Sequence, residues 1–201
     1  MSAWSKGLAC TLLATTMLSG CAALQHSSGH SKLADKADVL KNTPAARHAD
    51  AQQRLTDALA TIYADSSNRP LRYYSKFVDL NGDGQREALA YVKGPDGCAL
   101  GCDLYVMARD GDRYEVVSRI PTSKVPLYQL AASHDGWHEL LVTTLSADGG
   151  SRLQRMQYTG SGYVPVDNKS SEDDQRTPLI AHLDGPGHAI PAGAANSDSG
   201  S

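Results

Sequence analysis

The chain has 201 residues, of which 41% are hydrophobic, 20% charged and 6% aromatic, and its formal net charge is -3. This length fits one modest domain with tails. The 19 Lys and Arg residues form no basic run and are outnumbered by 22 Asp and Glu, which excludes the charge pattern of a nucleic-acid-binding protein. All nine Tyr and the single Phe lie between Tyr63 and Tyr163, so we expect the middle of the chain to build the core.

Residues 1–20 (MSAWSKGLACTLLATTMLSG) have the features of a secretory signal peptide. One cation, Lys6, precedes about ten mostly apolar residues that begin at Leu8, a stretch too short to span a bilayer. The following Leu-Ser-Gly-Cys, which ends at Cys21, resembles the bacterial lipobox, whose Cys is acylated and becomes the first residue of the mature protein. The alternative is an ordinary signal peptide in which the Cys stands by chance.

The lipobox resemblance implies a membrane anchor. Several acyl chains on Cys21 would hold the protein at a membrane surface, since a single chain binds only marginally. The residue after Cys21 is Ala22 and not Asp, and in lipoproteins of this type that implies sorting to the outer membrane. Residues 21–46 are small and polar with no apolar period, so we expect a flexible tether between the membrane and a periplasmic domain.

Residues 47–65 predict an amphipathic helix. Their apolar side chains recur at spacings of three and four, which places them on one helical stripe. Pro70 ends this pattern, because its ring disfavours a helical conformation in the preceding residue. The stripe consists of Ala51, Leu55, Ala58, Leu59, Ile62 and Tyr63.

Beyond the helix, the chain reads as two similar units of four short β-rich runs, offset by about 50 residues. Gly84 aligns with Gly136 and Glu87 with Glu139, and Gly- and Asp-containing turns separate the runs, which is typical of antiparallel hairpins. Each unit has the size of one propeller blade. We therefore expect a mainly β fold of two four-stranded antiparallel units, packed face to face or as an open two-blade arrangement, with one helix. Eight unrelated strands with coincidental turns are the alternative.

Residues 79–87 (DLNGDGQRE) are the one motif with clear chemistry. Oxygen-bearing side chains stand at positions one, three, five and nine, and the seventh residue could contribute its backbone carbonyl. Calcium takes six to eight hard oxygen ligands, which a tight loop with alternate side chains turned inward supplies. The sequence therefore predicts one calcium site, with ligands from Asp79, Asn81, Asp83, Gln85 and Glu87.

The flanking residues define the kind of calcium loop. Gly82 and Gly84 permit the positive φ angles that such a loop requires. It is not an EF-hand, because Ala90 occupies the twelfth position, where a bidentate Glu is needed. The spacing resembles the calcium loops of FG-GAP and integrin-type β-propeller blades, which join two strands of one blade. The alternative is a polar hairpin turn, since Asn-Gly and Asp-Gly are common turn formers.

Two cysteines remain in the mature domain. The lipobox resemblance implies that Cys10 is removed with the signal peptide and that Cys21 is acylated, which leaves Cys98 and Cys102. In an oxidising compartment this close pair predicts a disulfide. The alternative is half of a zinc site, which needs two further ligands.

The second loop, residues 133–139, lacks the series of carboxylates, so we predict no second calcium site. His134 and His138 flank Trp137 there. Two His residues four apart can share a metal on a helix, but at a turn between strands we interpret them as polar groups beside a packed or partner-facing Trp. Trp137 is the only Trp of the mature chain, and exposed it would be a possible interface residue.

No catalytic residues are predicted. Residues 160–162 (GSG) belong to a hairpin turn and lack the strand-to-helix setting of a nucleophile elbow. The acidic pair Asp173 and Asp174 lies in residues 168–201, which are rich in Ser, Asp, Gly, Pro and Ala and which we expect to be a disordered tail. The helix and the β-rich units would thus occupy residues 47–167.

As a whole, the chain resembles a group of small bacterial lipoproteins that carry an Asp-x-Asn-x-Asp-Gly loop followed by a Cys-containing hairpin. It is similar, more loosely, to calcium-binding propeller lipoproteins that act as periplasmic immunity proteins against peptidoglycan-cleaving effectors. The resemblance implies an outer-membrane-anchored binding module with structural calcium and a periplasmic protein partner. In its most specific form this is an inhibitor or immunity protein for a cell-wall hydrolase; the alternative is an envelope enzyme assisted by calcium.

Overall fold

The computed structural model describes residues 43–66, 70–146, 148–167 and 175–192. The predicted signal peptide, Cys21, and the first part of the predicted tether lie outside these residues. The elements in chain order are α1 (Pro44–Ile62), β1 (Leu71–Val78), β2 (Glu87–Lys93), β3 (Cys102–Asp110), β4 (Arg113–His134), β5 (Trp137–Leu145), β6 (Ser151–Tyr158), β7 (Tyr163–Val166), β8 (Arg176–Ile180) and β9 (His188–Ile190).

The predicted amphipathic helix is confirmed as α1. Thr43 caps it through a hydrogen bond from the Ala46 amide to Thr43 Oγ1 (3.2 Å), and Pro44 follows in the first turn, where its missing N–H costs nothing. The helix therefore begins inside the predicted tether, whose last residues were wrongly assigned. Leu55 and Leu59 are fully buried, as the stripe predicted. No helix in the described part of the chain combines the length and the apolar character that crossing a bilayer requires.

All nine described strands belong to one antiparallel sheet. Its order is β7-β6-β5-β4-β3-β2-β1-β9, and β8 pairs with β4. The mainly β prediction is therefore confirmed, but the repeat of two four-stranded units is not. The last run of the first predicted unit and the first run of the second form a single strand, β4, which pairs with β3 up to Ser123 and with β5 from Ser123 onward.

The sheet folds back on itself, so that β2 lies between two apolar layers. On one face Ala88 shares a buried cluster with Leu59 of α1. On the other face Leu89 shares a cluster with Leu140 of β5 and Met156 of β6. Fully burying one such Leu contributes about 1.5 to 3 kcal/mol. The helix and the second half of the sheet thus cover opposite faces of the first half.

Part of the predicted disordered tail is folded. β8 pairs with β4 and β9 pairs with β1, and the apolar residues Leu179, Ile180 and Ile190 are buried. The disorder prediction is therefore wrong for β8 and β9. The few large apolar residues of this segment suffice because strands on the existing sheet supply the hydrogen-bonding partners. Residues 168–174 and 193–201 of the tail lie outside the described part of the chain.

The predicted disulfide between Cys98 and Cys102 is confirmed, with a Cα–Cα distance of 5.1 Å. Gly101 next to it has a φ angle of +96°, and a Cβ added there would lie 2.3 Å from the backbone of Thr122. Only glycine accommodates both the angle and this close approach. The cysteine loop, defined here as residues 98–102, is therefore packed directly on the backbone of β4.

Candidate metal centre

The acidic loop, defined here as residues 79–86, connects β1 to β2. Asp79 organises it: Oδ1 accepts a hydrogen bond from the Gly82 amide (2.7 Å) and Oδ2 accepts one from the Gly84 amide (3.0 Å). Gly82 and Gly84 have φ angles of +74° and +82°. These left-handed positions, which the sequence predicted and which glycine adopts without strain, let the backbone wrap around the carboxylate.

The next two predicted ligands also fold onto the backbone. Asn81 Oδ1 accepts a hydrogen bond from the Asp83 amide (2.9 Å), and Asp83 Oδ1 accepts one from the Gln85 amide (2.6 Å). Asn81 Nδ2 donates to Asp83 Oδ2 (3.1 Å). These are Asx turns, in which each side chain bonds the backbone two residues later. Because a carboxylate or amide oxygen that accepts one N–H keeps another lone pair, this arrangement is compatible with cation binding.

Glu87, the last predicted ligand, is buried with 1% of its surface exposed. Its Oε2 accepts a hydrogen bond from the Leu80 amide at 2.6 Å. Burial, followed by the negative charges of Asp83 and Asp79, raises the pKa of the Glu87 carboxyl above its ordinary value, although the Leu80 hydrogen bond opposes this. A cation in the loop would relieve the repulsion that remains.

The structure therefore brings Asp79, Asn81 and Asp83 together in one hydrogen-bonded loop, while Glu87 is held inward. Gln85 is exposed and participates through its amide. Within the described residues, no group of three or more His, Cys, Asp or Glu side chains is arranged to hold a metal ion. Calcium binding thus depends on the amide oxygen of Asn81 and on backbone carbonyls in addition to carboxylates, and it stays a prediction.

The second loop is much shorter than the sequence suggested. Asp135 (φ +49°) and Gly136 (φ +79°) form a tight turn between His134 and Trp137, the last residue pair of the β4–β5 hairpin. Two positive φ angles in a two-residue connection are the type I′ geometry that Asp-Gly favours. Most of residues 133–139 therefore belong to β4 and β5, and we call residues 135–136 the Asp-Gly turn.

Glu139, which follows the Asp-Gly turn, is a second buried glutamate, with 3% of its surface exposed. It forms a close ion pair with Arg155 and accepts a hydrogen bond from Gln157 Nε2 at 2.7 Å. Sequence reasoning did not single out Arg155 or Gln157. Both lie on β6, and only the β5–β6 register, in which Leu141 faces Arg155, brings them to Glu139.

The acidic loop contacts the strand β5 shortly after the Asp-Gly turn. The His138 amide of β5 donates a hydrogen bond to the Leu80 carbonyl at 2.7 Å. The amide of the same Leu80 donates to Glu87. Leu80 therefore connects the acidic loop to Glu87 through its amide and to the start of β5 through its carbonyl.

Trp137 and its neighbours form an aromatic cluster at the end of β5. The Trp137 ring is half-buried and stacks on Tyr158 with a centroid distance of 4.7 Å. His134 and His138 lie within hydrogen-bonding distance of two different backbone carbonyls, those of Tyr158 (2.7 Å) and Leu130 (2.9 Å). Each imidazole thus has a local backbone partner, as expected of polar groups beside a turn.

Comparisons with protein-family models, with curated proteins and with solved structures found no match to this chain. The resemblance of the acidic loop to FG-GAP and integrin-type calcium loops therefore stays a prediction from the sequence.

Proposed function

We propose that the protein is a periplasmic binding module, anchored in the outer membrane through lipid on Cys21 and stabilised by structural calcium in the acidic loop. The observation that carries the proposal is the folding of Asp79, Asn81 and Asp83 into one loop above the buried Glu87. Within the described residues no Lys or Arg forms an ion pair with these carboxylates. A divalent cation is the natural countercharge for such a loop.

The calcium has a structural role in this proposal. Bound oxygens of Asp79, Asn81 and Asp83, with the Gln85 carbonyl and Glu87, would hold the β1–β2 connection closed. The hydrogen bond between the Leu80 carbonyl and the His138 amide would then fix the beginning of β5. Trp137 directly precedes His138, so calcium would set the position of the proposed interface.

The proposed partner is a periplasmic protein, and the most specific form is a cell-wall hydrolase that this module inhibits. The resemblance of the lipobox and the acidic loop to immunity lipoproteins supports that form. Trp137 stacked on Tyr158 supplies a rigid, half-exposed aromatic anchor of the type that dominates protein interfaces. A binding role needs no catalytic group, in line with the sequence.

The test is affinity capture with the full-length protein extracted in neutral detergent with calcium present. We expect one periplasmic protein retained in stoichiometric amount, and lost with Trp137→Ala. Leu100→Ala is the control, because Leu100 is also apolar and exposed (74%) but lies on the cysteine loop. Absence of a stoichiometric protein would contradict a binding module, and capture unaffected by Trp137→Ala would remove Trp137 from the interface.

The anchor is tested separately by fractionation. Cys21→Ala should move the protein from the membrane fraction to the soluble periplasm, because the acyl chains would be lost while the described core is unaltered. Membrane retention of the variant would contradict the lipobox interpretation.

One observation favours the alternative of a calcium-assisted envelope enzyme. A cavity of about 490 Å³ at the edge of β1 is lined by Ser75, His182, Asp184 and His188, with His182 Nε2 3.0 Å from Asp184 Oδ2. Ser75, however, donates its hydroxyl hydrogen to Gln52 Oε1 at 3.0 Å. Release of labelled fragments from cell-wall material by the wild-type protein, abolished by His182→Ala, would support the enzyme in place of the binding module.

A further inference from the structure

A second cavity, of about 310 Å³, opens between the start of α1 and the acidic loop. Its lining includes Phe77 and Tyr114, whose ring centroids are 6.1 Å apart. Its walls carry Arg47, Arg54, Arg86 and Arg109 against a single acid, Asp50, and we call it the arginine cavity. This concentration of guanidinium groups contrasts with the negative charge of the chain as a whole.

The charges of these arginines are unequally compensated. Arg54 is neutralised by ion pairs with both Asp50 and Asp112. Arg109 donates to a backbone carbonyl, that of Gly111 (2.9 Å), and forms no ion pair within the described residues.

The other two arginines have no side-chain partner in the part of the chain that the structure describes. Arg47 and Arg86 form neither a side-chain hydrogen bond nor an ion pair with any described residue. With Arg109, three arginines that form no ion pair within the described residues therefore line this cavity. In addition, the first turn of α1 carries no acidic residue, so the positive end of its dipole adds to the potential.

We infer that the arginine cavity binds the phosphate group of a phosphate ester. The planar guanidinium fork matches phosphate and carboxylate oxygens, but one carboxylate satisfies only a single fork. A phosphomonoester carries nearly two charges and three acceptor oxygens, which suits three arginines that line one cavity. A cavity of this volume also exceeds what phosphate alone fills, and the Phe77 and Tyr114 rings offer an apolar surface to an organic substituent.

The inference is independent of the proposed calcium site, although the two are neighbours. Gly84, Gln85 and Arg86 of the acidic loop line the cavity. Binding is therefore measured in chelator, so that phosphate cannot be recruited by a bound cation. If calcium does not bind to the acidic loop, the inference of phosphate binding is unaffected. If phosphate does not bind to the cavity, the calcium proposal is likewise unaffected.

The experiment is calorimetric titration of the full-length protein, in neutral detergent and chelator, with phenyl phosphate. We expect saturable binding that Arg86→Gln and Arg47→Gln each weaken about tenfold. Arg152→Gln is the matched control, because Arg152 is an exposed arginine outside the cavity and loses the same charge. Neither cavity arginine contributes to the buried core, so both variants should fold.

A second arm distinguishes a soluble phosphate ester from a lipid headgroup. Co-sedimentation with phosphatidylcholine vesicles is compared with and without phosphatidic acid, and any attachment through the N-terminal segment is common to all variants and cancels. Phosphatidic acid-dependent binding lost in Arg86→Gln would assign the phosphate to a lipid, and phenyl phosphate binding alone would assign it to a soluble ester. If Arg86→Gln and Arg47→Gln behave like Arg152→Gln in both arms, the inference is overturned.

Discussion

The acidic loop and the Asp-Gly turn occupy corresponding places, each leading from one strand of a hairpin to a strand that carries a buried glutamate. Glu139 beyond the Asp-Gly turn meets the guanidinium of Arg155 and the amide of Gln157. Among the described residues, Glu87 beyond the acidic loop accepts hydrogen bonds from backbone amides alone and has Asp79 and Asp83 nearby. Within the described parts of the chain, a cationic side chain thus neutralises the buried glutamate after the Asp-Gly turn, whereas none neutralises the one after the acidic loop.

This difference shows why a carboxylate-rich loop needs more than its own hydrogen bonds. Backbone amides stabilise an ionised carboxylate but bring no net charge. A buried ion pair brings the countercharge from within the fold, at the cost of depending strongly on its partner. Removing the guanidinium group of Arg155 should therefore destabilise the strand that follows the Asp-Gly turn. Adding calcium should stabilise the acidic loop.

The largest expected effect on stability comes from breaking the Glu139–Arg155 ion pair that follows the Asp-Gly turn. Arg155→Met leaves the buried Glu139 without its cation and should lower the free energy of unfolding by about 3 kcal/mol. Urea unfolding measures the loss, and Arg152→Met, an exposed arginine on the same strand, is the control with a change within about 0.5 kcal/mol. Equal losses in the two variants would show that the Glu139–Arg155 pair is not what stabilises this turn.

Calcium should act on the acidic loop alone. Extracellular modules bind calcium with a Kd of about 0.1 to 1 mM, so about 10 mM calcium should add about 1.4 to 2.7 kcal/mol and raise the Tm by several degrees. Asp83→Ala should abolish the increment, whereas Asp135→Ala in the Asp-Gly turn should retain it. A Tm that neither calcium nor chelator changes would overturn the metal assignment and leave the acidic loop as a polar turn.

A smaller effect is expected from pH, because it acts on one group of the acidic loop. The pKa of Glu87 is raised above its ordinary 4.5 in the folded protein, so the stability that its neutral form contributes is present at low pH and is lost as the pH rises through the folded value. In chelator, Glu87→Gln should therefore gain stability relative to the wild type from pH 4.5 upward. Urea unfolding across this range checks it, and a constant difference between the two proteins would contradict it.

The smallest expected losses of stability come from replacing one glycine in each of the two turns, and they should be equal. Gly84→Ala and Gly136→Ala introduce a Cβ that meets no atom within 4 Å, so only the positive φ angles oppose them. Each should cost about 1 kcal/mol, measured by urea unfolding. Gly94→Ala is the control, since Gly94 has no positive φ and its Cβ would lie 3.9 Å from Leu71. A much larger loss at Gly84 alone would show that the acidic loop is strained beyond its backbone angles.

Local patterns in the sequence predicted local structure well. The spacing of Leu55 and Leu59 predicted a buried helical stripe, and the short distance between Cys98 and Cys102 predicted their disulfide. The glycines of the acidic loop have the positive φ angles that the motif required. In each case residues close in the chain determine the outcome.

Pairing between strands that are far apart in the chain could not be predicted from local sequence patterns. The sequence predicted that one unit ends and another begins within what is the single strand β4, which continues through Pro121 and Pro126 although proline cannot donate a ladder hydrogen bond, with an irregular register between Lys124 and Leu127. The Glu139–Arg155 pair likewise depends on how β5 meets β6. The strands β8 and β9 were missed because the sheet, not the local composition, stabilises them.

The continuity of β4 makes the sheet a single cooperative unit. Ser123 is fully buried and pairs with Cys102 of β3 as well as with Thr144 of β5, and its carbonyl accepts the hydroxyl hydrogen of Tyr91 at 3.0 Å. Opening either half of the sheet thus breaks hydrogen bonds at the residue on which the other half is aligned. Amide protons on both sides of Ser123 should consequently exchange with solvent at a common, slow rate set by unfolding of the whole sheet.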